Sequence, residues 1–289
     1  MPELPEVEHA ARSLRSWLEG HRIITAEGTR TRVFRGSTPE AFARALRDRA
    51  FERIDRRGKT LLFTFDAGAG LLSHLGMSGR WLRRPPGAPP PRHGRARLHL
   101  DDGTILHYDD PRMFGRLLVA PAATLPTLKE LQHLGPDPLR DGLSPAALHP
   151  SFARTSRPVK VALMDPAVIA GIGNIQATEA LFRAGVHPAC PASALTAAET
   201  RAVIAGLDAS ISHTLASLAA QPEVHYLSQA GGTDNPFLIY DRTGHPCPRC
   251  GAVIEKLTLA GRTSAYCPRC QPEPPSAWAR GPRSTRPGR

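Results

Sequence analysis

A chain of 289 residues, 41% of them hydrophobic, can bury a substantial core and has room for one large domain or, more readily, two. No run reaches the roughly 18 apolar residues of a membrane helix, and the acidic start lacks the basic-then-apolar order of a signal peptide, so a cytoplasmic protein without a membrane partner is expected. Thirty-seven Lys and Arg against 26 Asp and Glu leave +11, of which the last 17 residues carry +3, so a polyanionic partner is favoured even without the tail.

The chain opens Met1-Pro2-Glu3-Leu4-Pro5-Glu6-Val7-Glu8. Leu4, Val7, Ala11, Leu14 and Leu18 recur at helical spacing, so a helix is expected from about Pro5 to Glu19. Two readings of its start compete. Pro5 is a good first helical residue, with Glu6 and Glu8 favourably placed for the helix dipole. If Met1 is removed, however, Pro2 presents a secondary amine of near-neutral pKa that can attack an aldehyde-like carbon, and Glu3 supplies acid/base capacity beside it.

Strand-like runs follow at Ile23-Ile24, Thr31 to Phe34, Thr60 to Phe65 and Leu71 to Leu75, with a helix from Pro39 to Arg49 between them. Arg95 to Leu100 and Thr104 to Tyr108 read as a hairpin about Asp101-Asp102-Gly103, and the proline-rich stretch Arg83 to Gly94 as an exposed loop. These elements predict an N-terminal β-sandwich with flanking helices over residues 1–134.

Gly135-Pro136-Asp137-Pro138 reads as a hinge, assigned to 135–150, after which the pattern becomes helical over 151–225. Ser144-Pro145 is a helix start, Thr196 with Glu199 is a capping box ahead of a helix to about Leu218, and Gly171-Ile172-Gly173-Asn174 feeds a helix to about Ala184. Such a glycine turn exposes backbone N–H groups to an anion, although most turns of this kind are only turns. A mobile loop is expected over Gln221 to Pro236, which contains Gly231-Gly232 and Asp234-Asn235-Pro236, and 226–238 is assigned as a loop segment of its own.

Cys247-Pro-Arg-Cys250 and Cys267-Pro-Arg-Cys270 are two C-x2-C knuckles sixteen residues apart, the pattern of a structural Zn2+ ribbon, assigned to 239–271. The intervening hairpin should turn at Ala260-Gly261, with Arg262 at or just after its tip, either clamping a phosphate or simply solvated. Cys190 stands apart as a small apolar residue. The tail 272–289, rich in Pro and Arg, is expected to be disordered and to add nonspecific DNA affinity.

Six stretches carry a resemblance: MPELPEVE at the start, RRGKTLLF at 56–63, SHLGMSG at 73–79, DPRMFG at 110–115, GIGNI at 171–175 and the ribbon ending CPRCQ. In this order they resemble the formamidopyrimidine-DNA glycosylase and endonuclease VIII family of base-excision repair enzymes over residues 1 to about 271, nearer the formamidopyrimidine branch. The resemblance implies an α+β multidomain fold, with a helix-two-turns-helix domain between the sandwich and the zinc ribbon. It also implies a bifunctional glycosylase/AP lyase acting as a monomer on damaged double-stranded DNA. In that frame Pro2 matches the nucleophile, Glu3 the general acid/base and Glu6 a supporting acid. Lys59, His74, Asn174, Tyr240 and Arg262 match the residues that hold backbone phosphates around the lesion, Lys59 being grouped with the catalytic set. Met77, Arg112 and Phe114 match the side chains that fill the void left by the extruded nucleotide, a role that an apolar wedge and a guanidinium suit.

Four departures bear on the lesion preferred. Met113 stands where many relatives have arginine, Gln176 where an aromatic is common and Asp241 where glycine is usual, and the stretch 222–238 keeps little of the family's glycine-rich loop. Oxidised or ring-opened purines are the expected substrates. The alternatives are a preference for oxidised pyrimidines or abasic sites, or a noncatalytic zinc protein that binds damaged DNA; RNA binding is a weaker third.

Overall fold

The computed structural model describes residues 2–220 and 235–273. The chain forms two compact units, one of residues 1–134 with 213–236 and one of residues 135–212 with 237–289. The expected loop at 226–238 therefore lies outside the described residues except for 235–238, and the tail except for its first two residues.

In the first unit, the regularly spaced leucines generate α1, Leu4–Leu18, whose Leu4, Val7, Leu14 and Leu18 are fully buried. Strand β1 is Arg22–Gly28, α2 Pro39–Leu46, β2 Arg49–Arg57, β3 Thr60–Phe65, β4 Ala69–His74, β5 Arg80–Arg84, β6 Gly94–Leu100, β7 Ile105–Asp109 and β8 Arg116–Pro121, followed by the short α3, Lys129–Gln132. The strands are hydrogen-bonded in the order β5-β7-β6-β1-β2-β3-β4-β8. The β1–β2 junction is held by only Arg22↔Ala50 and Ile23↔Arg49, so it acts as a corner between two four-stranded halves. Phe63 of β3 and Trp81 of β5, far apart in strand order, meet at 6.0 Å between ring centroids, and Trp81 Nε1 donates to Ser73 Oγ of β4 at 3.1 Å. The halves thus face each other as a sandwich, with α1 contributing Val7, Leu14 and Leu18 to the same core. Each fully buried leucine stabilises by about 2 kcal/mol relative to exposure.

Two sequence expectations are corrected. Thr31 to Phe34 is not a strand, because Arg32–Phe34 forms a 3-10 turn. Consecutive Val33 and Phe34 are both buried, which a strand of period two cannot do on one face, and Phe34 packs edge-on against Phe42 of α2 at 5.4 Å. The helix from Pro39 stops at Leu46, where Arg47 turns extended and Asp48 takes φ 56°, launching β2. Strand β2 itself, Arg-Ala-Phe-Glu-Arg-Ile-Asp-Arg-Arg, has too little apolar alternation to be legible but pairs with β3 through six registered positions.

The second unit contains α4, Pro145–Ala153, capped by Ser144 Oγ accepting the Ala147 N–H, and a short α5, Val159–Leu163. Helix α4 occupies the end of the segment read as a hinge. Next come α6, Asn174–Ala184, and α7, Ala197–Ala219, at whose start the expected capping box is formed: Thr196 Oγ1 accepts from Glu199 N at 3.2 Å and Glu199 Oε2 accepts from Thr196 N at 2.8 Å. The unit boundary falls within α7, after Ser212. Contrary to the sequence expectation, helix α7 is long and apolar enough by composition to cross a membrane, but its Val203, Leu207 and Ile211 are buried within the fold, as in a core helix. Its Gly206 lies against α6, where an added Cβ would sit 2.5 Å from the Ala180 carbonyl oxygen. Gln176, the residue that departs from the family's aromatic, is fully buried on the same seam and accepts from Ser210 Oγ at 2.7 Å. Strands β9, Glu255–Leu259, and β10, Arg262–Tyr266, form the ribbon hairpin with Arg262 opposite Leu259 beside the tip.

Candidate active site and phosphate-binding residues

Pro2 is buried at the mouth of α1, and Glu3 and Glu6 are 2% and 1% exposed. The two glutamates form a reciprocal capping box, in which the Glu3 backbone N–H donates to Glu6 Oε2 at 3.0 Å. Burial, and then the neighbouring Glu3 charge, push the Glu6 carboxyl up to about 7. Helix-starting and chemical readings of this segment therefore coexist: the capping that orders the first turn also fixes two carboxyl groups next to Pro2.

Lys59 follows Gly58 in the two-residue turn that joins β2 to β3, where Gly58 supplies a φ of 55° and Arg57 pairs with Thr60. Thr60 is in turn opposite His74 at the end of β4, which brings Lys59 and His74 to one sheet end. His74 Nδ1 accepts the Gly76 N–H at 3.1 Å. Burial first, then the charges of Lys59, Arg35 and Arg116, hold its pKa below the usual histidine range. A neutral imidazole among cations is prepared for a phosphate, whose charge would reverse that depression.

The SHLGMSG and DPRMFG loops lie against one another. An added Cβ at Gly76 would sit 2.4 Å from the Phe114 carbonyl, Ser78 Oγ donates to Asp110 Oδ1 at 2.6 Å, and Asp110 Oδ2 accepts the Gly115 N–H at 2.8 Å. Met77 and Phe114 are each 38% exposed on this platform, and the Arg112 guanidinium lies 4.8 Å from the Phe114 ring centroid. Met113 takes φ 54° and packs partly into the sandwich core.

In the second unit, Asn174 begins α6 after Gly173, and its Oδ1 is buried without a hydrogen-bond partner. Asn174, Tyr240 and Arg262 line one cleft of about 470 Å³ together with Lys256 and Thr243. Asp241, on the same wall, has φ 59°, the left-handed conformation that accounts for glycine being usual there.

Several residues that hold these groups carry little or no sequence signal. Arg32 donates to the Arg112 carbonyl at 2.8 Å and the Met113 carbonyl at 3.1 Å while its guanidinium lies 5.0 Å from the Phe114 centroid, and Arg35 donates to the Phe114 carbonyl at 3.3 Å. Buried Glu179 accepts the N–H groups of Leu238, Ile239 and Tyr240 at 3.1, 2.8 and 2.9 Å and pairs with Arg183 at 2.6 Å, thereby fixing the backbone of Tyr240. A lone acid in the apolar run of α6 was the available clue to it. Lys160, 1% exposed, donates to the Thr263 carbonyl at 2.9 Å and Ser264 Oγ at 2.7 Å, bracing the strand that carries Arg262.

The four ribbon thiols lie within 4.8 Å of one another, with Cys247 and Cys270 sulfurs 3.9 Å apart and those of Cys250 and Cys267 3.5 Å apart. Tetrahedral coordination with Zn–S bonds of about 2.3 Å requires sulfurs about 3.8 Å apart, so the donor set fits. The Arg249 and Cys270 N–H groups point at the Cys247 and Cys267 sulfurs at 3.4 and 3.5 Å, as thiolates require.

Comparisons with known proteins agree with this geometry. Residues 1–117 match the formamidopyrimidine-DNA glycosylase N-terminal domain, residues 134–220 its H2TH domain and residues 244–272 the zinc finger found in FPG and IleRS. The formamidopyrimidine-DNA glycosylase of Roseiflexus sp. (strain RS-1) is 40% identical over 274 residues, spanning 94% of this chain and 100% of the relative. That of Gloeobacter violaceus is 39% identical over 279 residues, spanning 94% and 98%. Among solved structures, the Lactococcus lactis Fpg in complex with abasic-site DNA superposes with a TM-score of 0.84 at 28% identity, covering 94% of this chain and 100% of that one. The MutM (Fpg) protein of Thermus thermophilus gives 0.79 at 34%, covering 95% and 100%. The chain belongs to the formamidopyrimidine-DNA glycosylase family, and its ribbon is a zinc finger for one structural zinc.

Proposed function

We propose that this chain is a bifunctional DNA glycosylase/AP lyase of base-excision repair, removing 8-oxoguanine and formamidopyrimidines with Pro2 as its nucleophile. The observation that carries the reading is the buried Glu3–Glu6 capping box immediately behind Pro2, in a chain of this family. Related structures bind DNA containing an abasic site, FAPY-dG or carbocyclic 8-oxo-G.

With Met1 removed, the Pro2 amine attacks C1′ of the damaged nucleotide. The C1′–N bond breaks, its electron pair leaves with the base, and the base takes up a proton. The amine gives up its own proton, the C1′–O4′ bond then breaks with its pair on O4′, which is protonated, and the opened sugar remains on Pro2 as an iminium. Loss of a C2′ proton expels the 3′ phosphate, a second elimination expels the 5′ phosphate, and water releases the sugar fragment from Pro2. Glu3 moves protons in these steps, and Glu6, pushed up to about 7, limits the second negative charge beside it. Lys59 and His74 in one unit, and Asn174, Tyr240 and Arg262 in the other, hold backbone phosphates. Met77, Arg112 and Phe114 occupy the void in the stack. Cys247, Cys250, Cys267 and Cys270 would hold a zinc ion that fixes the hairpin presenting Arg262, a closed set of four thiolates being suited to a structural site.

A preference for oxidised pyrimidines is the second reading, since a related L. lactis complex contains an oxidised pyrimidine. We further propose a monomer working on nucleoid DNA in the cytoplasm, where thiolate ligands persist in the reduced state. Borohydride trapping on duplexes with a single 8-oxoguanine or abasic site tests the chemistry. A covalent adduct is expected with the wild type and none with Pro2→Gly. Equal trapping by the variant would remove Pro2 as the nucleophile, and strand cleavage without any adduct would remove the Schiff base.

A further inference from the structure

The proline-rich loop that follows β5 takes no part in the proposed chemistry, yet it roofs a cavity of about 320 Å³ on β1 and β6 in the first unit. Three arginines, Arg92, Arg95 and Arg97, line this cavity together with one acidic residue, Glu27. That carboxylate is already engaged by Arg97 at 2.5 Å and by His99 at 3.2 Å. Arg95 is held in place through Nε, which donates to the Asp110 carbonyl at 2.9 Å. The wall also includes His107, which is 3% exposed and whose Nε2 has no hydrogen-bond partner.

A buried ring nitrogen without a partner normally costs on the order of 1–3 kcal/mol, and a concentration of guanidiniums around one neutralised acid leaves positive charge in a confined space. Both are relieved by the same ligand. We propose that this cavity is a binding site for a phosphate-bearing anion, with Arg92 and Arg95 as charge partners and His107 as a hydrogen-bond partner. Its volume, at the lower end of ordinary ligand sites, admits a phosphate with a small substituent. The source is either a free phosphate compound or a phosphate of the DNA backbone. Because the Arg95 anchor, Asp110, also holds Ser78 and Gly115, the site is bonded directly to the platform of Met77 and Phe114.

The neutral state of His107 provides a local readout. Burial lowers its pKa, as do Arg97 and His99 on β6 and Arg84 on β5, against the opposing charge of Asp109. An anion in the cavity would raise it.

The test uses the full-length zinc-loaded protein with ¹⁵N-labelled histidine, the His107 ring resonance being assigned by its loss in His107→Gln. Addition of inorganic pyrophosphate should shift this resonance saturably and move its titration to higher pH. Arg92→Ala, an exposed loop position, should raise the half-saturating concentration at least about tenfold. Arg262→Ala should leave the response intact. A shift that persists with saturating undamaged duplex present identifies a free phosphate compound as the ligand; a shift produced by the duplex itself and lost in Arg92→Ala identifies the DNA backbone. A resonance unmoved by about 10 mM pyrophosphate and by duplex overturns the proposal. So does a response equal in Arg92→Ala and wild type, or one lost only in Arg262→Ala.

Discussion

Glu6 receives the Glu3 backbone N–H through Oε2 at 3.0 Å, while its other oxygen, Oε1, is buried without a hydrogen-bond partner. Its pKa is raised because burial, and then the neighbouring Glu3 charge, penalise the charged form more than the backbone N–H groups of Glu6 and Glu3 repay it. The folded state consequently binds a proton more tightly than the unfolded chain. Stability from this group is fully present below the ordinary glutamate value of 4.5 and is lost as the pH rises from there through about 7. Glu6→Gln keeps an oxygen acceptor for Glu3 and removes the titration. We expect it to be more stable than wild type at pH 8 by up to about 3 kcal/mol and to flatten the slope of stability between those pH values, measured by urea unfolding. An unchanged slope would refute the assignment.

Arg32 braces the DPRMFG loop from outside, through two carbonyls and the face of Phe114. It is exposed at its guanidinium, so Arg32→Ala should leave unfolding free energy within about 0.5 kcal/mol of wild type. Base excision should nevertheless fall roughly tenfold in kcat/KM, since the void-filling side chains lose their setting. Cleavage of a preformed abasic site should be less affected, and single-turnover assays on the two substrates separate the cases.

Buried Glu179 is the acceptor for three consecutive backbone N–H groups, that of Ile239 fully buried and those of Leu238 and Tyr240 partly so. Glu179→Ala should cost about 3 kcal/mol or more and weaken DNA binding through displacement of Tyr240. Hydrogen exchange at Leu238, Ile239 and Tyr240 should accelerate before exchange in the sandwich core does. Uniform acceleration throughout the chain would show that Glu179 acts globally instead.

Asp241 occupies a left-handed backbone conformation on the wall that carries Tyr240. Asp241→Gly should therefore stabilise by about 0.5–1 kcal/mol, through relief of that conformation, offset partly by the greater freedom of glycine when unfolded. Thermal unfolding reads this as a small rise in Tm. Loss of the nearby negative charge should also tighten DNA binding at low salt more than at high salt.

Removal of zinc should release the β9–β10 hairpin, because four thiolates within 4.8 Å of one another repel or reprotonate without the ion. Loss of DNA affinity on chelation, recovered on adding zinc, is the expected result in a fluorescence anisotropy titration. Affinity unchanged after metal analysis has confirmed zinc loss would show that the ribbon does not present Arg262 to DNA.

Local chemistry in the sequence determined the elements that are self-contained. The α1 leucines, the Thr196–Glu199 box and the two Cys-Pro-Arg-Cys knuckles each act within a few residues or one hairpin, so spacing alone discloses them. Six short stretches likewise pointed to the family and to most candidate residues. Tertiary structure decided what depends on partners distant in the chain. The charged strand β2 exists because β3 lies beside it, Val33 and Phe34 turn because both find the core, and Arg32 reaches residues about 80 positions away. The cavity beneath the proline-rich loop belongs to the same class. Its arginines and His107 are adjacent only across paired strands, and no period or motif encodes a neighbour that pairing alone creates.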